Sequence, residues 1–194
     1  MHITDGPPTA PATFLFAHGA GAPMDTPFMN TVARGLAARG IRVVRFEFRY
    51  MAARREGKKK GGPPDRQPVL LETFRRVVEE HGGGAKVVIG GKSMGGRMAS
   101  LIADEVGARG LLCLGYPFHP PGKPAQVRTA HLADLRTPTL ILQGTRDIFG
   151  NPDDVAPYVL SSHIRVEWLE NGDHSLKGQL DRAIDLGATF ILQL

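Results

Sequence analysis

The chain has 194 residues, 42% of them apolar and 22% charged, with a formal net charge of +5 at pH 7. These proportions exclude a disordered chain, and the length suits one domain over 1–194 with no room for a second of ordinary size. No apolar run approaches the ~20 residues that cross a bilayer, and no Lys or Arg precedes Arg34 to open a secretory signal, so a cytoplasmic location without a membrane partner is expected.

In chain order, Phe14-Leu15-Phe16-Ala17 predicts a strand over 13–17. It runs into His18-Gly19-Ala20-Gly21-Ala22, small residues that let backbone approach a substrate. Ala20 is the expected backbone donor, with Gly19 or Gly21 as alternatives. His18 is expected to hold this loop by hydrogen bonding, and both His18 and Gly19 to sit at the substrate. A helix is read near 26–38 and a strand near 41–48. Between Arg42 and Arg66 lie nine Lys or Arg against Glu47, Glu56 and Asp65. The segment Arg54 to Pro64, with its basic residues at 54–60, has the glycine and proline content of a mobile loop. It reads as a solvated loop more readily than as an anion attractor. No aromatic residue interleaves these charges, so nucleic acid is not the expected partner.

A helix near 68–81 leads to a strand near 86–90, and Val87-Val88-Ile89 breaks into Gly90-Gly91-Lys92-Ser93-Met94-Gly95-Gly96. Gly91-Lys92-Ser93-Met94-Gly95 matches G-x-S-x-G between a strand and a helix read near 95–106, the context that a serine nucleophile requires. Met94 N–H, next to that serine, is the second expected oxyanion donor. The lone cysteine, Cys113, lies inside an apolar strand near 110–115 and reads as core. No Cys/His spacing suggests a metal, and no cofactor is expected. Beyond Gly115, Phe118 and His119 are candidates to line the site. Only about twenty residues separate Tyr116 from Pro138, which excludes a large cap.

A strand near 138–143 ends in Gly144-Thr145-Arg146-Asp147, and a strand near 164–169 ends in Asn171-Gly172-Asp173-His174. Helices are read near 153–160 and 176–192. Ser93, Asp147 and His174 thus follow one another at the ends of separate strands, the chain order nucleophile, acid, base. Asn151, Asp153 and Asp154 are nearby alternatives for the acid, while Asp173 is too close to the histidine to serve its ring. Near-continuous apolar strands alternating with helices predict a mostly parallel sheet of about six strands, covered by helices on both faces.

The combination of His18-Gly19-Ala20-Gly21, Gly91 to Arg97, Gly115 to Lys123 and Gln143 to Asp147 resembles one branch of the α/β-hydrolases, in a minimal α/β-hydrolase fold. That branch includes testis-expressed protein 30, the hydrolase-like part of subunit 3 of the NSL histone-acetylation complex and bacterial relatives. More distantly the chain is similar to dienelactone hydrolases. The resemblance runs from about residue 13 to the end. It implies the fold and the Ser93, Asp147 and His174 triad, and it raises a hydrolase-like scaffold that binds another protein. The triad and the oxyanion loop themselves point to a serine hydrolase acting on a small-molecule ester or thioester. Whether the chain forms a homodimer or meets a protein partner stays open at this level. Ser93 stands where dienelactone hydrolases carry cysteine, which argues against that reaction.

Overall fold

The computed structural model describes residues 1–58 and 60–194. Seven strands form one sheet: β1 (His2–Asp5), β2 (Thr13–Ala17), β3 (Arg42–Phe46), β4 (Val87–Lys92), β5 (Gly110–Leu114), β6 (Thr139–Gly144) and β7 (Ile164–Leu169), in the order β1-β3-β2-β4-β5-β6-β7. All neighbours are parallel except β1, which pairs antiparallel with β3. The helices are α1 (Pro27–Ala37), α2 (Arg49–Arg55), α3 (Gln67–Glu80), α4 (Met94–Ile102), α5 (Pro152–Val155) and α6 (Leu180–Gln193).

The central strands are apolar on both sides because both faces of the sheet are covered. Side chains alternate along a strand, and the alternation divides the core in two. Phe14, Phe16, Val88, Leu112 and Leu140 face a layer built by Met29, Val32 and Leu36 of α1 and Ile184 and Ile191 of α6. Leu15, Ala17, Ile89, Leu111 and Ile141 face Phe74 and Val77 of α3 and Met98 and Ile102 of α4. Each fully buried phenylalanine or leucine contributes roughly 1.5–3 kcal/mol. Trp168 on the outer strand β7 is only partly buried, as is most of that strand.

Most helix boundaries follow local signals. Thr26 caps α1 by accepting from Met29 N–H, with Pro27 in the first turn. Asn151 and Asp154 form a capping box on α5. Two elements depart from the sequence reading. β1 adds a seventh strand, held to β3 by the ladder and by Arg45 Nη2 to Asp5 Oδ2 at 2.7 Å. Four residues are too few to show a period, which hides this strand from the sequence. The segment read as a loop begins as helix: Arg54 and Arg55 belong to α2.

The basic residues there are largely engaged. Arg55 bridges Glu47 and Asp25, Arg54 stacks 5.0 Å over the Tyr50 ring, and Lys58 pairs with Glu56 at 2.6 Å. Lys59, part of the same basic run, lies outside the described residues. Helix α6 starts at Leu180 rather than near 176, because Leu176 and Gly178 take positive φ in the preceding turn. The connection from β5 to β6 carries only a short 3-10 turn, Ala130–Leu132, and no cap domain.

Candidate active site

The turn from β4 into α4 places Ser93 at φ 51 and ψ −116, a conformation that a non-glycine residue holds only when its surroundings impose it. Gly91 and Gly95 make the turn possible. A Cβ on either would stand 2.6 Å from the Ala17 carbonyl oxygen, so the first turn of α4 presses directly on the end of β2. This contact brings Met94 N–H, which starts α4 and has no intrahelical acceptor, beside the loop that follows β2.

That loop is held from behind. His18 is fully buried; Phe48 N–H donates to its Nε2 at 3.2 Å, so Nδ1–H donates to the Gly19 carbonyl at 2.6 Å. Burial lowers the His18 pKa and keeps the ring neutral. Tyr50 Oη–H donates to the Ala20 carbonyl at 2.8 Å. A trans peptide sets N–H opposite the preceding C=O, so turning the Gly19 carbonyl toward His18 and Tyr50 sends the Ala20 N–H the other way.

The structure brings Ser93, His174 and Asp147 into one hydrogen-bonded line. His174 Nε2 lies 2.9 Å from Ser93 Oγ, and His174 Nδ1 lies 2.8 Å from Asp147 Oδ2. Asp147 is 1% exposed. Its Oδ1 accepts from Phe149 N–H at 2.8 Å and its Oδ2 from Gln143 Nε2 at 2.9 Å. Gln143 also donates to the Gly150 carbonyl at 3.0 Å and the Tyr116 carbonyl at 3.2 Å, and accepts from Tyr116 N–H at 2.7 Å. It therefore ties the end of β5 to the Asp147 loop. Asp173 turns away from the ring and caps its own loop, accepting from Ser175 and Lys177 N–H, which hold its pKa below the usual range.

Lys92 Nζ donates to the His174 carbonyl and lies 5.5 Å from the Phe28 ring centroid. Burial pushes its pKa down to about 8. The Phe149 ring sits 4.1 Å from the His174 ring, centroid to centroid. Two cavities open on Ser93. One of about 450 Å³ is mostly apolar, lined by Gly19 to Pro23, Phe28, Lys92, Phe149 and His174. The other, of about 540 Å³, lies toward α4 and is lined by Met94, Arg97, Arg128 and Phe149.

Three expected lining residues are corrected. His18 stands behind the loop and does not reach either cavity. Phe118 is fully buried, 4.9 Å from the Tyr116 ring and packed on Gly150. His119 points inward as well, with Nδ1–H donating to the Pro120 carbonyl at 2.8 Å and Nε2 3.3 Å from Asp154 Oδ2. The loop after β5 turns these two side chains toward α5, while Pro117 before them and Arg128 further along the same connection stand at a cavity wall. Gly19 and Ala20 do line the site. Phe28, Phe149, Gln143, Arg97 and Arg128 reach the site or its support without being expected there. Of these, Gln143 in the stretch that ends at Asp147 and Arg97 at the end of the Gly91 to Arg97 stretch lie in motifs the sequence singles out.

Cys113 is buried with its thiol pushed up by desolvation, which leaves it no thiolate character. Among the described residues no three His, Cys, Asp or Glu side chains gather as a metal site. No helix among the described residues is long and apolar enough to cross a membrane.

Residues 10–186 match the family model described as alpha/beta hydrolase domain. Among solved structures, Est1E from Butyrivibrio proteoclasticus with ferulic acid bound is similar at TM-score 0.76 and 16% identity, covering 100% of this chain and 94% of that one. A dienelactone hydrolase from Anabaena variabilis is similar at TM-score 0.76 and 19% identity, covering 99% and 90%. A serine hydrolase without a lid from Xanthomonas campestris is similar at TM-score 0.73 and 18% identity, covering 99% and 88%. At these identities the likenesses speak for the fold.

Proposed function

The chain belongs to the alpha/beta hydrolase domain family, and on that premise we propose that it is a serine hydrolase cleaving a small carboxylic ester or thioester through an acyl-enzyme. One observation carries this reading: Ser93 Oγ, His174 and the buried Asp147 carboxylate are in hydrogen-bond register at 2.9 and 2.8 Å.

In the proposed cycle Ser93 Oγ attacks the acyl carbon while His174 Nε2 takes its proton. The resulting imidazolium is held in orientation and stabilised by Asp147 through Nδ1–H. The tetrahedral oxyanion accepts from Ala20 and Met94 N–H, each donor worth about 2.7–4 kcal/mol in such sites. His174 then passes its proton to the departing alkoxide or thiolate. Water attacks the acyl-Ser93 carbonyl, giving its proton to His174, and Ser93 leaves with that proton as the acid departs. The positive end of α4 faces the same developing charge. Two open cavities and no cap suit a compact, accessible ester. Within the family, the Gly91 to Arg97 and His119 to Lys123 motifs support the branch of testis-expressed protein 30 and its relatives.

Fluorophosphonate labelling of wild type, Ser93→Ala and His174→Ala tests this. Stoichiometric labelling of the wild type that disappears in both variants is expected. A folded wild type that does not label refutes an activated serine and turns the search toward a binding role.

A further inference from the structure

The cavity on the α4 side of Ser93 carries two cations that acyl transfer itself does not use. Arg97 projects from α4, and Arg128 from the connection between β5 and β6; both are half-buried and both line that cavity with Ser93 and Met94. Neither takes part in an ion pair among the described residues. Arg97 Nη1 makes one long hydrogen bond, 3.4 Å, to Gln67 Oε1, while its Nε–H is buried with no partner in the protein. Burial, with Arg128 adding to it, lowers the Arg97 pKa.

The wall behind Arg97 is uncharged. Ser100 Oγ lies 2.8 Å from His131 Nε2 and 3.1 Å from Tyr116 Oη. Burial first and Arg97 second push His131 down to about 4, so its ring is neutral at pH 7, and burial pushes the Tyr116 phenol up. Asp65 is the one acid on the lining among the described residues, and its Oδ2 already accepts Tyr50 N–H at 2.9 Å. Half-buried guanidinium groups that form no ion pair cost stability. Two of them on the wall of a cavity that opens on the nucleophile match a ligand anion. With Asp65 opposing them, the lining is left at a net +1, which suits a monoanion. The planar guanidinium fork matches a carboxylate in particular.

Resting on the acyl-transfer reading, we infer that this cavity binds a free carboxylate of the substrate, held by Arg97 and Arg128 while the ester carbonyl lies over Ser93. The substrate class is then a carboxylate-bearing ester or thioester rather than a neutral one.

Two substrate pairs test this. On the acyl side, 4-nitrophenyl valerate is set against the 4-nitrophenyl monoester of glutaric acid, in which a carboxylate replaces the terminal methyl. On the leaving-group side, phenyl acetate is set against 4-acetoxybenzoate. In at least one pair the anionic-to-neutral ratio of kcat/KM is expected to favour the anion. It should fall about tenfold or more in Arg97→Gln and Arg128→Gln, the order expected for a lost charge-assisted hydrogen bond, and less in the lysine variants. Where a glutamine variant melts early, the lysine variant supplies the comparison. Ratios that stay the same in every folded variant, with fluorophosphonate labelling retained, overturn the carboxylate site and leave the serine hydrolase standing. A wild type that neither labels nor hydrolyses any of the four esters overturns both.

Discussion

Replacing Gln143 with methionine, a side chain of similar length and no donors, tests whether this residue secures the Asp147 loop. Gln143 is fully buried and uses both ends of its amide. Gln143→Met strands the Tyr116 N–H and the Gly150 C=O, each costing about 1–3 kcal/mol when buried without a partner. The Tyr116 carbonyl keeps Phe118 N–H at 3.1 Å, and Asp147 keeps Phe149 N–H and His174. With the apolar volume largely conserved, a net loss of about 2–6 kcal/mol is expected, or about 4–24 °C in Tm for a chain of this size. The same change removes a donor from Asp147 Oδ2, the oxygen that faces His174. A hydrogen bond to a charged group is worth about 1.5–3 kcal/mol, so labelling of Ser93 should slow by up to about 10- to 150-fold. Urea unfolding and the rate of fluorophosphonate labelling read the two effects separately. Wild-type stability together with a wild-type labelling rate would refute the assignment, since other groups must then satisfy Tyr116, Gly150 and Asp147.

Gly95→Ala places a methyl 2.6 Å from the Ala17 carbonyl oxygen and 2.7 Å from that of His18, both backbone. A loss of about 1–3 kcal/mol is expected from the forced shift, with slower labelling as α4 moves off the loop; an unchanged melt and rate would show that the turn has slack. Lys92 should make stability depend on alkaline pH. Below about pH 8 the folded and unfolded chains both hold its proton, and the folded one bears the desolvation cost. Between about 8 and the ordinary 10.5 the folded chain releases that proton first, so stability rises with pH across that window. Urea midpoints from neutral to alkaline pH should show wild type gaining on Lys92→Met by at most about 3 kcal/mol, and parallel curves would refute the buried ammonium.

Much of the frame was legible because its causes are local. Apolar runs such as Phe14 to Ala17 and Val87 to Ile89 become buried parallel strands within a residue or two of their expected ends. The glycines around Ser93 are present because the backbone of β2 passes within contact of the turn. The order Ser93, Asp147, His174 was readable because each follows its own strand, and parallel strands deliver their ends to one edge of the sheet. Asp147, and not Asn151, Asp153 or Asp154, reaches His174; Asn151 and Asp154 are spent on the capping box of α5.

Which side chains face the cavities was decided only by the tertiary structure. His18, Phe118 and His119 sit beside the site in sequence, yet each turns inward to a partner away from the cavities, the Gly19 carbonyl and Phe48 N–H, Tyr116, and Asp154 respectively. The basic run at 54–60 is dense in the sequence, but Arg54 and Arg55 are taken up by Tyr50, Glu47 and Asp25. The arginines that matter for the substrate proposal, Arg97 and Arg128, are 31 residues apart and meet only where α4 and the β5–β6 connection flank Ser93. Periodicity and turn chemistry act over a few residues and are written in the chain. Cavities form between elements distant in sequence, so the packing of the sheet and its helices alone determines what lines them.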